Sequence, residues 1–234
     1  MRALFGMLLA GGLLLAPAVL AQQAAPRELA FTVERDGAPF GTHSVKFSGS
    51  ADDLKVEIAI DLKVEFGPIT VFRYTHRNSE SWQNGRLARI ETTTDDDGEA
   101  LRVVGGALPE GFRLQQGEAN APLPKDILPT SYWHRAALDR TLWLDTQSGR
   151  IRKVSVQRLG EEAIPVAGEP QKASRYRVSG DLEMDLWYLP NGEWAGLEFT
   201  ARGSKIRYRR ITPTTVALLP EGAKPAPALA SAAQ

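Results

Sequence analysis

The chain contains no cysteine among its 234 residues. Disulfides, thiolate metal sites, a thiol nucleophile and a lipid-anchoring cysteine are therefore excluded. Histidine is almost as scarce, with His43, His76 and His134 the complete set. None lies within three to five residues of another, so no metal-ligand spacing exists, and neither a metal nor another cofactor is expected. There is no excess of either charge, with 28 basic against 28 acidic side chains, which argues against a nucleic-acid partner. Phosphate loops, dinucleotide fingerprints, metalloprotease helices and G-x-S-x-G elbows are missing. After the first 21 residues no run is long or apolar enough to span a membrane.

What is present is a packable core. The hydrophobic share is 43%, with five Trp, five Tyr and eight Phe, enough to rule out wholesale disorder. Met1–Ala21 reads as a signal peptide: Arg2 is the positive start, Leu4 to Leu15 the apolar run, and Val19-Leu20-Ala21 the cleavage site. The expected product is a soluble, monomeric periplasmic protein. Residues 220–234 are rich in Pro and Ala, without a β-branched or aromatic side chain, and are expected to be a disordered tail. Residues 27–219 remain as a single domain.

Its periodicity is two. In Asp53–Phe66, Leu54, Val56, Ile58, Ile60, Leu62, Val64 and Phe66 share one face, and six charged residues occupy the other. Such a strand would be roughly 43 Å long, and its apolar face stays covered only if the sheet curves around its own contents. Further strand-like runs flank the turn signals Asp36-Gly37, Asn84-Gly85, Asp97-Gly98 and Asn191-Gly192, and Tyr176 to Tyr188 continues the pattern. The expected fold is mainly β, a curved antiparallel sheet forming a barrel or half-barrel. One short helix, capped by Thr130 or Ser131 and running to about Asp139, should cover its open side with Trp133, Ala136, Ala137 and Leu138 inward.

Two clusters carry candidate chemistry. On a regular strand Tyr74, His76 and Glu80 point the same way, near Trp82, and a His–Glu hydrogen bond could set a tautomer; a satisfied His at a sheet edge beside a surface carboxylate is the plainer reading. Tyr132, Trp133 and His134 open the expected helix, where they could line a pocket mouth or anchor the helix to the sheet. The candidate ligand-binding set is therefore Tyr74, His76, Trp82, Tyr132, Trp133 and His134, with no residue assigned a catalytic role. Lys205, Arg207 and Arg209 share a face of the last strand; Arg forks there could hold an anion, and charge guarding an exposed edge is the plainer reading.

The stretches Tyr74-Thr75-His76, Glu80-x-Trp82-x-Asn84-Gly85-Arg86-Leu87, Ser131-Tyr132-Trp133-His134, Asp145-Thr146-Gln147-Ser148-Gly149 and Leu186-Trp187-Tyr188 with Gly192 and Trp194 resemble a family of exported bacterial proteins known as a domain of unknown function. The resemblance runs from about Leu29 to Ile211 and implies no particular activity. At the level of shape it extends distantly to the lipoprotein-carrier half-barrels. Two readings of function follow: a binding module for a lipid or other amphiphile, and an envelope hydrolase using His76 or His134 as general base. A structural or partner-binding role is a third. The apolar inner face of Leu54 to Phe66, which offers no catalytic group, favours the first. N-terminal sequencing of protein recovered from the periplasm should begin near Gln22; material still starting at Met1 would refute the signal-peptide assignment.

Overall fold

The computed structural model describes residues 27–212. The signal peptide expected over 1–21 and the tail expected over 220–234 lie outside them. Fourteen strands form one sheet in the order β7-β6-β5-β4-β3-β2-β1-β14-β13-β12-β11-β10-β9-β8. The first seven are β1 (Arg27–Arg35), β2 (Ala38–Gly49), β3 (Asp53–Phe66), β4 (Ile69–Gln83), β5 (Arg86–Asp96), β6 (Glu99–Leu108) and β7 (Gly111–Gln116). After a crossing segment come β8 (Leu128–Pro129), β9 (Leu142–Leu144), β10 (Ile151–Val166), β11 (Glu169–Gly180), β12 (Met184–Tyr188), β13 (Trp194–Ala201) and β14 (Ser204–Arg210). All neighbours are antiparallel except β8 and β9.

The sheet is curved and does not close on itself. Its terminal strands β7 and β8 do not pair; the chain leaving β7 crosses the gap instead, with Glu118 N–H donating to Ser148 O (3.0 Å) and Ala119 N–H to Gly149 O (3.1 Å). Gly117 and Gly149 meet so closely there that a Cβ on Gly149 would come within 2.8 Å of the Gly117 Cα. Only glycine fits such a backbone approach.

Hairpin turns set the register. Asn84 and Gly85 both have positive φ, 49° and 74°, the two-residue turn whose twist matches the flanking strands. Ala167-Gly168 makes a turn of the same kind (51° and 87°) without any sequence signal at its first position. Beyond a register shift near Gly160, the far part of the β10–β11 hairpin builds a second small core of Val166, Ala173, Trp187, Leu189 and Ala195. Consequently β12 is buried on both faces, with Leu186 and Tyr188 in the main core and Trp187 in the second.

Three expectations need correction. The covering helix is absent; the only helical piece among the described residues is a 3-10 turn, Arg135–Asp139, with no side-chain cap. The groups that would have started a helix are used elsewhere. Thr130 Oγ1 accepts from Thr146 N–H (3.1 Å), Tyr132 sits at φ 63°, and its carbonyl accepts from the Tyr188 hydroxyl (2.6 Å). Next, β14 is not an edge. It pairs with β13 on one side and β1 on the other, joining the two ends of the domain. Its basic face is neutralised by neighbours: Arg207 and Lys205 on Glu198, and Arg209 on Glu34 (2.6 Å). Finally, Tyr176 to Tyr188 is not one strand, because β11 ends at Gly180 and β12 starts at Met184.

The alternation in β3 is realised as side-chain direction. Leu54, Val56 and Ile58 are buried, whereas Lys55, Glu57 and Asp61 are exposed. Asp61 pairs with Arg77 at 2.7 Å, an exposed ion pair of small energetic weight. Ile58→Asp should abolish the thermal unfolding transition, since an unpaired buried carboxylate costs several kcal/mol against a total of about 5–15 kcal/mol. Lys55→Gln should change stability by less than about 1 kcal/mol. Equal damage from both in denaturant titrations would refute the assignment of faces.

Candidate functional site

Register aligns the inward residues of neighbouring strands into rows. One row runs His43–Ile60–His76–Thr94 across β2, β3, β4 and β5. The next runs Val45–Ile58–Asn78–Thr92, followed by Phe47–Val56–Glu80–Ile90. Burial changes along these rows. On β3, Leu54, Val56 and Ile58 are buried, but Ile60, Leu62 and Val64, on the same face, are only half-buried. They line a cavity of about 760 Å³ that opens beside the β3–β4 turn. That is the size range of small-molecule sites. Just after this turn, β4 begins with Ile69 and Val71 at 61% and 54% exposure, and Val71 belongs to the cavity wall.

The far side of the cavity is formed by β12–β14 and by two loops. Thr130, Ser131 and Tyr132 reach in from one, Asp145, Thr146 and Gln147 from the other. Asp145 shapes the second loop. Its Oδ1 accepts from Gln147 N–H (2.8 Å) and Ser148 N–H (3.1 Å), and its Oδ2 accepts from Arg152 Nε (2.7 Å). Thr92 Oγ1 donates to Thr146 O (2.7 Å), tying this loop to β5, and the Tyr74 hydroxyl reaches Gln147 Oε1 (3.3 Å).

The floor is polar but uncharged. His43 is 3% exposed and neither ring nitrogen has a hydrogen-bond partner. Its ring lies against Trp194 and Tyr208, with centroids 5.2 and 5.5 Å away. Burial pushes its pKa down to about 3, helped by nearby His76. His76 shares a hydrogen bond through Nδ1 with Thr94 Oγ1 (2.8 Å), and burial lowers it to about 4. Both rings are neutral at pH 7. Asn78, on the following inward row, spends its amide N–H on Glu80 and keeps Oδ1 unpartnered.

Beneath this floor lies a closed aromatic layer. Glu80 is fully buried, and desolvation raises its pKa although three N–H groups oppose the shift. Those donors are Asn78 Nδ2 (2.8 Å), Trp82 Nε1 (2.9 Å) and Trp133 Nε1 (3.0 Å). His134 stacks on Trp82 at 4.9 Å, and burial holds its pKa near 4. The candidate residues thus divide. Tyr74, His76 and Tyr132 line the cavity; Trp82, Trp133 and His134 pack below it. Tyr74, His76 and Glu80 do share a face, but His76 bonds Thr94 instead of Glu80, and Glu80 is no surface carboxylate.

Sequence reasoning passed over His43 and Asn78. A signal for His43 was present, because it precedes Val45 and Phe47 in one alternating face. Asn78 lies between His76 and Glu80 on the same face of β4, which runs unbroken to Gln83, so the same alternation pointed to it.

Chemically the cavity combines apolar walls with a neutral polar floor. No group of three metal-ligating residues occurs among the described residues. Neither His76 nor His134 makes a hydrogen bond to a carboxylate. Because all three histidines have folded pKa values below 6.5, the unfolded chain takes up protons first as pH falls. Their contribution to stability is full above 6.5 and is lost as pH drops through about 4 to 3, at up to about 1.4 kcal/mol per pH unit for each ring. Glu80, with a raised pKa, acts in the opposite sense, being least costly when protonated. Chemical denaturation from pH 7 down to pH 5 should show falling stability, with a shallower fall in His43→Phe; a flat profile would contradict neutral burial of the rings.

Comparison with known proteins places the fold. A search of curated proteins finds no match. Among solved structures, the chain is similar to the crystal structure of a β-barrel-like protein of the domain of unknown function DUF1849 from Brucella abortus, with a TM-score of 0.58 and 12% identity. That similarity covers 79% of this chain and 95% of the other, and it concerns the fold alone. Residues 31–211 match the model of the domain of unknown function DUF6134, and the chain belongs to that family.

Proposed function

We propose that this protein is an exported, soluble envelope component that binds an apolar or amphiphilic small molecule, such as a lipid, in the half-barrel cavity as a monomer. One observation carries the reading. Ile60, Leu62 and Val64 continue the inward alternation of a packed strand, yet they stay half-buried because they face open volume instead of neighbouring side chains. Apolar surface kept out of the core in this way costs about 25 cal/mol per Å², and a ligand that covers it recovers that cost. Phe40, Phe72, Met184 and Phe199 add aromatic and flexible apolar area to the walls. Compartment is supported by the leader-like first 21 residues.

The hydrolase alternative has weaker support. His134 lies below the cavity, and His76 has its Nδ1 engaged by Thr94. Native mass spectrometry of protein purified from the periplasm should show a noncovalent small-molecule adduct that organic extraction recovers. Leu62→Glu places a charge in the half-buried wall near the mouth, so the adduct should be lost while the melting midpoint falls far less than in a buried-strand variant. Absence of any adduct, together with no rise in melting midpoint on adding amphiphiles, would defeat the proposal.

A further inference from the structure

The polarity of the cavity is arranged opposite to that of a simple grease pocket. Apolar groups gather toward the mouth, where Phe40, Leu62, Val64, Val71 and Phe72 stand. Unmet hydrogen-bonding groups gather at the deep end, where the walls close on His43 and Asn78, which are 3% and 2% exposed. Neutral His43 supplies one donor and one acceptor, and Asn78 Oδ1 supplies a second acceptor. A buried polar atom left unmatched costs about 1–3 kcal/mol, so a ligand head that satisfies these atoms is favoured over bare hydrocarbon.

The charged residues around the cavity are already committed. Asp96 faces Arg202 (3.7 Å), Asp145 holds Arg152 (2.5 Å), and Arg35 Nε donates to Ser204 Oγ (2.8 Å). Asp97, Asp181 and Glu183 accept from the backbone N–H groups of Arg73, Lys153 and Gly180. An anionic head carried to the floor would lose its hydration and find neutral imidazole and an amide carbonyl in exchange.

We propose that the ligand is a neutral amphiphile bearing an alcohol hydroxyl, seated head-first, with the hydroxyl on His43 and Asn78 and the hydrocarbon running past Ile60 and Leu62 to the mouth. This rests on the cavity being an apolar-ligand site, as argued above. A hydroxyl both donates and accepts, which is the combination the two side chains leave open. The low pKa of His43, caused by burial, keeps that donor and acceptor pair intact at neutral pH.

The test uses delipidated mature protein and three probes of one chain length: tetradecanol, tetradecane and, at about pH 8 where it is ionised, tetradecanoate. Each is delivered from cyclodextrin and followed by tryptophan fluorescence, Trp194 being in ring contact with His43. Tetradecanol should bind about fivefold tighter than tetradecane, the equivalent of one net hydrogen bond, and tetradecanoate should bind more weakly than tetradecanol. His43→Phe should bring the ratio of alcohol to alkane affinity to about one, and His43→Gln should restore part of it. Equal binding of alcohol and alkane, or tightest binding of the carboxylate, overturns the head-first assignment while leaving the cavity reading intact. Binding of none of the three overturns both. The comparison among wild-type ligands decides the matter even where a variant fails to fold.

Discussion

The carboxyl group of Glu80 is the point on which the architecture turns. It stands at zero exposure on the inner face of the curved sheet and gathers N–H groups from its own strand, Asn78 and Trp82, and from the crossing segment, Trp133. A buried carboxyl is tolerated only when its oxygens are satisfied, and removing a partner leaves the remainder stranded at high cost. Trp133 is therefore held in one place, 3% exposed and edge-on to Trp82 and Phe47. Because residue 133 is fixed, the preceding Ser131 and Tyr132 are fixed as the far wall of the cavity. An open sheet with a strap tied through its interior gains the enclosure that strand pairing between β7 and β8 does not provide.

The inner face of β4 shows how one strand serves both a packed layer and a cavity wall. From the closed end outward it presents Trp82, Glu80, Asn78, His76, Tyr74 and Phe72. The first two belong to the packed aromatic layer, and the last four border the open volume. Polar groups at such depth cost desolvation energy, visible in the lowered pKa of His76 and the raised pKa of Tyr74 and Tyr132, each caused first by burial. Side chains whose polar groups oppose the stability of the fold are thus concentrated along the cavity.

The family motifs acquire physical reasons. Glu80-x-Trp82 places a carboxyl and its donor on one face; Ser131-Tyr132-Trp133-His134 supplies the returning indole and the ring that stacks on Trp82. Asp145 to Gly149 is a turn closed by the Asp145 side chain, with Gly149 small enough to meet Gly117. Leu186-Trp187-Tyr188 serves two cores at once.

Local physics made much of the fold legible. Alternation along Asp53–Phe66 demanded a two-faced strand and a curved sheet, and Asn84-Gly85 demanded a tight hairpin, because period and turn chemistry depend on near neighbours only. Long-range pairing made the other decisions. The residues from Thr130 onward read as a capped helix, but hydrogen bonds to Thr146, Tyr188 and Glu80 outcompete the few bonds that so short a helix would form. The last strand read as an edge because nothing local reveals that β1, some 175 residues away in the case of Glu34 and Arg209, completes its pairing. The site itself has the same origin. His43 is one histidine on one short strand until curvature of the whole sheet sets it opposite Trp194 and Tyr208, beside His76, with its ring nitrogens facing no partner of the chain's own.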